Sequence, residues 1–355
     1  MASDRIYLDH AATTPVLPEA RAAMAAALEA WANPSSPHAD GRAARSALED
    51  ARAHIAEALG WRHDVILTSG ASEAIAIVAA RAKAGRRLIG ATEHDAVVAA
   101  MGPEAGIIPV DEQGRIDLSA LDQALAGEPA LVAIQQVNNE TGVIQPIAEI
   151  VAMVRAAGSL LLADCAQGAG KIPLPDADFI AVSAHKLGGP PGMGALLVRD
   201  IAALSPSGGQ EKGYRRGTEN LPAAAGFAAA LQARAFAEAM PRLAELRAKL
   251  EQAIGPAIGA GAERIATIGA YAMRGVSSTS QLVQFDLAGI AISAGSACSS
   301  GSMKPSRVLE AMRIAPEAAD SVIRISFGPQ TTSEEVDRCL AEWRRIADKA
   351  GQQAA

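Results

Sequence analysis

Residues 183–198 read SAHKLGGPPGMGALLV, and this stretch decides the fold class that the sequence predicts. An apolar run at 179–183 leads into Lys186, a glycine-rich turn follows, and a second apolar run occupies 195–198. Short apolar runs bounded by glycine and proline are typical of buried strands. We therefore expect two strands here, with a lysine directly after the first.

Outward from this stretch, short apolar runs alternate with helical patterns. The candidate strands lie at 65–68, 88–91, 107–110, 131–135, 160–163, 179–183 and 195–198. The candidate helices lie at 19–30, 41–59, 72–83, 118–126 and 147–157. This alternation predicts an α/β fold with a mostly parallel sheet covered by helices on both faces. In such sheets ligands bind beyond the carboxyl ends of the strands.

The last third of the chain predicts a smaller α/β unit. A helical run from 221 to about 253 is interrupted by Pro241. Beyond it, segments at 280–285 and 321–327 have strand patterns, and segments at 306–312 and 334–349 have helical patterns. We therefore expect a large domain at 15–240 and a small domain formed by 1–14 and 241–355.

Composition and charge exclude several classes of protein. The 355 residues are 50% hydrophobic and 20% charged, which is enough apolar surface for sizeable cores and excludes wholesale disorder. A net charge of −7 has the wrong sign for a nucleic-acid surface. Three scattered cysteines predict neither a disulfide framework nor a zinc site, and favour a reducing, cytoplasmic location. The charged N-terminus and the absence of a long apolar run predict neither a secretory signal nor a membrane span.

Lys186 and Asp164 are the residue types that one cofactor requires. Asp164 follows the apolar run at 160–163, so both side chains are expected at the same edge of the sheet. Pyridoxal phosphate needs an amine for a Schiff base and a carboxylate that keeps its pyridinium nitrogen protonated. A surface lysine explains Lys186 equally well in isolation, and the upstream carboxylate favours the cofactor.

The turn LTSGASEA at 67–74 supplies candidate ligands for a phosphate. Ala71 and Ser72 stand where a strand turns into a helix, and backbone amides at a helix start attract anions. An ordinary N-cap by Ser72 explains the same residues equally well. Ser183 and His185, which flank Lys186, offer further donors.

Two more strand ends carry polar candidates. His94, in TEHDAV, is placed to stack on a pyridine ring, although a single histidine at such a position is more often structural. Asn138 and Asn139, in QQVNNETG, offer hydrogen-bond donors.

The three cysteines differ in their sequence context. Cys298 lies in a run of Gly, Ser and Ala that cannot pack a rigid core, which predicts a mobile loop with an accessible thiol. Cys165 and Cys339 are interpreted as small buried hydrophobic residues.

Ten motifs in order resemble the NifS/IscS-type cysteine desulfurases. They read LDHAATTP (8–15), NPSSPH (33–38), TSGASE, EHDAV, NNETG, DCAQ, SAHK, GGQEKGYRRGTEN (208–220), GSACSSG (295–301) and RISFG (324–328). The resemblance runs from residue 6 to about 340. It implies a homodimer with the type I fold of pyridoxal phosphate enzymes, similar to aspartate aminotransferase, within the class V aminotransferase group.

The resemblance also implies roles for single residues. Lys186 corresponds to the lysine that holds the cofactor covalently, Asp164 to the pyridinium partner, and His94 to the residue stacked on the ring, where it is also a candidate acid/base. The other correspondences are a phosphate cradle of Ala71, Ser72, Ser183 and His185, and contacts of Gln167 and Asn139 with the pyridine oxygen or the substrate. Thr218 corresponds to a threonine that reaches the phosphate of the neighbouring subunit.

Substrate and reaction follow from the same resemblance. Arg324 corresponds to the arginine that grips the substrate carboxylate, with Asn33 nearby. The implied reaction converts L-cysteine to L-alanine and leaves a persulfide on Cys298, whose sulfur passes to a protein acceptor for iron–sulfur cluster or other sulfur-cofactor biosynthesis.

Two alternatives stay open. A selenocysteine lyase or a related β-eliminating class V enzyme would share Lys186 and Asp164 but depend differently on Cys298. A degenerate member that acts as a binding or assembly subunit is the other, and the joint presence of these residues argues against it.

Overall fold

A computed structural model describes residues 5–295 and 306–354, and the strands in that part of the chain form three sheets. The strands are β1 (Ile6–Tyr7), β2 (Asp64–Thr68), β3 (Arg86–Gly90), β4 (Gly106–Ile108), β5 (Ala130–Gln135), β6 (Leu160–Asp164), β7 (Phe179–Ser183), β8 (Gly194–Val198), β9 (Ile268–Ala272), β10 (Ile290–Ala291) and β11 (Val322–Ser326).

Helices surround these sheets. They are α1 (Pro18–Glu29), α2 (Ala39–Ala58), α3 (Ala71–Arg81), α4 (Asp95–Met101), α5 (Leu118–Leu125), α6 (Ile147–Ala156), α7 (Leu221–Gln232), α8 (Ala235–Ile254), α9 (Ser278–Leu287), α10 (Arg307–Ala311), α11 (Pro316–Ala319) and α12 (Ser333–Ala354). Among the described helices, none has a stretch apolar and long enough to cross a membrane.

The largest sheet has seven strands in the order β2-β8-β7-β6-β5-β3-β4. Only β8 runs antiparallel to its neighbours, so the other six strands point the same way. The predicted α/β fold with a mostly parallel sheet is confirmed. Because the carboxyl ends of the six strands share one edge, polar residues that follow different strands are brought together there.

Apolar cores cover both faces of this sheet. Along β2, Val65 and Leu67 join one core while Ile66 joins the other. Alternate residues of a strand point to opposite faces, so a run of consecutive apolar residues indicates burial on both sides. The first core includes residues of α2, α6 and α7, and the second includes residues of α3 and α4.

One of the two small sheets pairs residues from both ends of the chain. β1 runs parallel to β10, and β9 runs antiparallel to β11. The N-terminal segment thus pairs with residues beyond 240, and the division into a large and a small domain, with its boundary at 240, stays a prediction.

Two expectations for the last third are wrong. Residues 280–285 were expected as a strand and lie in α9, where the Ser277 hydroxyl accepts a hydrogen bond from the Ser280 amide and so caps the helix. The helical run breaks at Arg234, whose φ is +50°, and not at Pro241, which lies inside α8. Burial of one face of α8, from Phe236 to Leu250, offsets the hydrogen bond that a proline removes.

Candidate active site

A cavity of about 380 Å³ lies at the carboxyl edge of the large sheet. It is lined by residues that follow β2, β3, β5, β6 and β7. Most of the residues singled out in the sequence meet there, namely Ala71, Ser72, His94, Asn139, Asp164, Gln167, Ser183, His185 and Lys186. The cavity is the candidate active site.

The start of α3 forms one wall of this cavity. Gly70 caps the helix with a φ of +152°, which only glycine adopts readily, and Ser72 lies in the first turn, so an N-cap role for Ser72 is wrong. The first amides of a helix have no acceptor within the helix and favour anions. This wall therefore suits a phosphate group.

Close approach between strands sets the position of that wall. A Cβ on Gly194, the first residue of β8, would lie 2.4 Å from the Val182 carbonyl oxygen and 2.6 Å from Gly70 Cα. Only glycine fits between them. The turn after β2 is thereby packed against the end of β7. The short turn that follows β7 ends at Lys186.

Asp164 and Lys186 lie at the carboxyl ends of neighbouring strands, as the sequence predicted. Asp164 is the last residue of β6, is buried, and accepts a hydrogen bond on Oδ1 from the Ala166 amide at 2.9 Å. Lys186 ends a short 3-10 turn after β7. The Thr14 amide donates to the His185 carbonyl at 2.8 Å, so the N-terminal motif 8–15 packs against this turn.

His94 has a structural contact as well as a place in the cavity. Its Nδ1 accepts a hydrogen bond from the Ala96 amide at 3.1 Å and caps α4. In the neutral ring the proton is then on Nε2. The cap fixes the orientation of the imidazole at the cavity wall.

The side-chain oxygen of Gln167 is a buried hydrogen-bond acceptor. Its Nε2 donates to the Ala11 carbonyl at 2.9 Å, whereas its buried Oε1 has no hydrogen-bond partner among the described residues. Buried acceptors are nearly always satisfied, so this oxygen predicts a donor in the cavity. A pyridine ring with a hydroxyl group and a phosphate fits an orphaned acceptor, a helix N-terminus, a carboxylate and a lysine.

A second lysine, which the sequence reasoning missed, is close enough to Lys186 for the two charges to interact. Lys171 is buried with its Nζ 4.6 Å from the centre of the Phe236 ring. Burial lowers the pKa of Lys171 to about 7, and the charge of Lys186 adds to this shift. Burial, followed by the charges of Lys186 and Lys171, lowers the pKa of His185 to about 4, so this imidazole is neutral at pH 7.

Arg324 lies behind the cavity wall. It is 3% exposed on β11, its Nη1 donates to the Asn139 carbonyl at 2.9 Å, and its Nη2 contacts Asp9 Oδ1 at 2.7 Å. Sequence reasoning did not assign a role to Asp9, although the residue is part of the quoted LDHAATTP motif. The contact through Asn139 joins Arg324 to the candidate site.

Two predicted site residues, Asn33 and Thr218, lie away from this cavity. Both are exposed and line a separate surface cavity with Trp31. Cys298 lies outside the described residues. Burial raises the pKa values of the other two thiols, that of Cys339 to about 12 and that of Cys165 well above its usual range. Their interpretation as buried hydrophobic residues is confirmed.

Comparison with known proteins places the chain in a family. The family profile described as Aminotransferase class-V matches residues 6–339. A cysteine desulfurase from Cereibacter sphaeroides is 36% identical over 374 aligned positions, which cover 98% of this chain and 96% of the relative. The chain belongs to the cysteine desulfurase family of class V aminotransferases.

Solved structures of similar proteins agree with this family. A NifS-like protein from Rickettsia africae has a TM-score of 0.89 and 32% identity, and the match covers 97% of this chain and 99% of that one. A structure described as SspA in complex with cysteine has a TM-score of 0.80 and 27% identity, with coverage of 92% and 100%. The family fold is thus the type I fold that the resemblance implied.

Proposed function

We propose that the protein is a pyridoxal-phosphate-dependent cysteine desulfurase that converts L-cysteine to L-alanine and transfers the sulfur to Cys298. The observation that carries this proposal is the meeting of Lys186, Asp164 and the α3 N-terminus around one cavity in a chain of this family. The substrate is inferred from the similarity to cysteine desulfurases, and the cofactor is inferred from the groups that line the cavity.

The cavity residues divide the work of holding the cofactor. The amides at the start of α3, with Ser72, Ser183 and His185, hold the phosphate. Asp164 would keep the pyridine nitrogen protonated, and His94 would contact the ring. When bound, pyridoxal phosphate supplies an aldehyde for amines and a ring that takes up electrons from a bond broken at the substrate Cα.

Lys186 has two tasks in this proposal. Its amine would hold the cofactor, and when free the same amine would take the proton from the substrate Cα. Asp164 stabilises the charge that this proton transfer leaves, because its carboxylate keeps the pyridine nitrogen protonated. Arg324 binds the substrate carboxylate and so orients the Cα proton toward Lys186.

The sulfur step balances without an external oxidant. The Cys298 thiolate attacks the substrate sulfur, the C–S bond breaks, and an S–S bond forms on Cys298. The substrate Cβ is reduced and takes up a proton, and the product leaves as L-alanine. The transferred sulfur is oxidised to the persulfide level. A thiol or a protein acceptor then removes that sulfur from Cys298.

The remaining assignments concern assembly and location. We propose a homodimer in which Thr218 completes the site of the neighbouring subunit. Exposed Trp31 beside Thr218 supports an interface at this surface. A cytoplasmic location and a protein sulfur acceptor, with iron–sulfur cluster assembly as one destination, are further parts of the proposal.

The proposal is tested by cofactor binding and turnover together. Wild-type protein loaded with pyridoxal phosphate should show visible absorbance, and borohydride reduction should fix the cofactor to the peptide that contains Lys186. It should form L-alanine from L-cysteine, whereas Lys186→Ala should not, and the exposed-lysine control Lys83→Met should behave as wild type. A colourless wild-type protein that does not take up the cofactor would instead indicate a binding or assembly subunit.

A further inference from the structure

The guanidinium of Arg324 is held from two sides. Asp9 Oδ1 contacts Nη2 at 2.7 Å, and the Asn139 carbonyl accepts from Nη1 at 2.9 Å. These contacts use two of the five N–H donors of an arginine. Nε is buried and has no hydrogen-bond partner among the described residues. Donors for a further ligand therefore remain on a guanidinium that is already fixed in place.

A β-bridge and hydrogen bonds hold the backbone around Asp9. Asp9 forms a β-bridge with Ser326, two residues beyond Arg324 on β11. The Tyr7 hydroxyl lies 3.2 Å from the Asp9 carbonyl oxygen and donates to the Thr13 carbonyl at 2.9 Å. Asp9 thus reaches Arg324 from a segment tied to the neighbouring strand, so the carboxylate is positioned before any ligand arrives.

The other contact of Arg324 connects it to the cavity. Asn139 lines the cavity, and its backbone carbonyl accepts a hydrogen bond from the guanidinium. A planar guanidinium recognises a carboxylate by two parallel N–H donors, so its plane decides whether a ligand is accepted. Two contacts at different nitrogen atoms fix that plane, whereas one contact leaves it free to turn.

We propose that Asp9 is a positioning residue that orients Arg324 so that its remaining donors meet the carboxylate of the amino-acid substrate. The proposal rests on the proposed function, since it assumes that Arg324 binds this carboxylate. Asp9 then acts in substrate recognition through Arg324 and does not touch the substrate. If Asp9 instead occupied the place of the substrate carboxylate, its loss would tighten substrate binding.

Two ligands that differ by one carboxylate test this role. L-alanine and ethylamine share the amine and the carbon chain, and only L-alanine carries the carboxylate. Each is titrated into the cofactor-loaded protein, and the visible absorbance gives its Kd. Asp9→Asn should raise the Kd of L-alanine about tenfold, the effect expected for the loss of one hydrogen bond to a charged group. The Kd of ethylamine should change by less than about twofold.

A double-mutant cycle with Arg324→Gln separates positioning from general damage. On the Arg324→Gln background, Asp9→Asn should change the Kd of L-alanine by less than about twofold, because the two residues act as one unit. The double variant also leaves no unpaired buried charge, so it serves if Asp9→Asn alone is unstable. Asp286→Asn removes the carboxylate of an exposed pair with Arg5 and is the matched control.

Three results would overturn the proposal. They are an equal rise in both Kd values, a tighter Kd for L-alanine, and additive effects in the double variant. Neither ligand needs to be desulfurated, so a protein that binds L-alanine through Arg324 but does not release sulfur from L-cysteine would contradict the proposed function and leave the role of Asp9 intact.

Discussion

Glu93 shows how a single buried carboxyl responds to its surroundings. It precedes His94, its Oε1 accepts from the Gln135 amide at 3.0 Å, and its Oε2 has no partner among the described residues. Burial raises the pKa of Glu93 well above its usual range, and the charge of Asp164 adds to the shift. The carboxyl is therefore protonated in the folded protein at pH values where it is ionised in the unfolded chain.

We predict that Glu93→Gln stabilises the protein at high pH. Folding must add a proton to Glu93, so its contribution to stability is lost as pH rises from its unfolded pKa toward its folded pKa. Glutamine keeps the acceptor and has no proton to gain. The free energy of unfolding of Glu93→Gln minus that of wild type should be about 1–3 kcal/mol larger at pH 8 than at pH 5.

Denaturant unfolding at both pH values measures this difference. Glu104→Gln, at an exposed position, is the matched control and should show no such trend. A Glu93→Gln variant whose stability differs from wild type by the same amount at both pH values would contradict the protonated carboxyl.

Single residues of the candidate site were predictable where they follow an apolar run that predicts a strand. Asp164 and Lys186 follow apolar runs that formed neighbouring strands, so the rule for parallel sheets placed them together. Asp9 and Lys171 were not predictable in this way. Their importance depends on partners far along the chain, Arg324 and Phe236, and no local pattern encodes such contacts.

At the scale of elements, the contact between the turn after β2 and the end of β7 positions the phosphate wall. We predict that Gly194→Ala displaces the end of β7 and the turn after β2, because the alanine Cβ would overlap the Val182 carbonyl and Gly70. Overpacking of this kind costs about 1–3 kcal/mol. Thermal unfolding should show the loss, and the affinity for pyridoxal phosphate should fall with it.

Gly85→Ala is the control for this substitution. A Cβ there meets no atom within 4 Å, and no left-handed backbone is required. Unchanged stability and cofactor affinity in Gly194→Ala would show that the wall does not depend on this close approach.

The helix α9 explains where prediction of elements failed. The sequence of α9 places Val283 and Leu287 on the exposed side, while Gln281 is fully buried and donates to the carbonyls of Val276 and Ser321. The hydrophobic pattern therefore does not follow the buried face. Tertiary hydrogen bonds decide this element, and the pattern alone favoured a strand.

At the scale of the whole molecule, the sheet order follows from alternating strands and helices, whereas assembly does not. The exposed Leu28 and Trp31 side chains line a surface cavity with Asn33 and Thr218. We predict that this surface is buried between two subunits, so that Trp31→Asp lowers the mass measured by sedimentation from two chains to one. A variant that stays dimeric would place the interface elsewhere.

Complementation tests whether Thr218 serves the neighbouring site. Thr218→Val should weaken cofactor binding about tenfold through one lost hydrogen bond to a charged group. In a mixed dimer with Lys186→Ala, the single chain that retains Lys186 receives Thr218 from its neighbour and should regain wild-type affinity. A weakened variant that does not recover in the mixed dimer would mean that each Thr218 acts within its own chain, and a Thr218→Val variant with wild-type affinity would mean that Thr218 has no role.

The most direct test of the account is the product formed from L-cysteine by wild-type protein and by Cys298→Ala in the presence of a thiol reductant. We predict that wild type forms L-alanine and sulfide, and that Cys298→Ala retains the cofactor absorbance but forms neither. A Cys298→Ala variant as active as wild type would contradict sulfur transfer to Cys298, and pyruvate in place of L-alanine would indicate direct β-elimination.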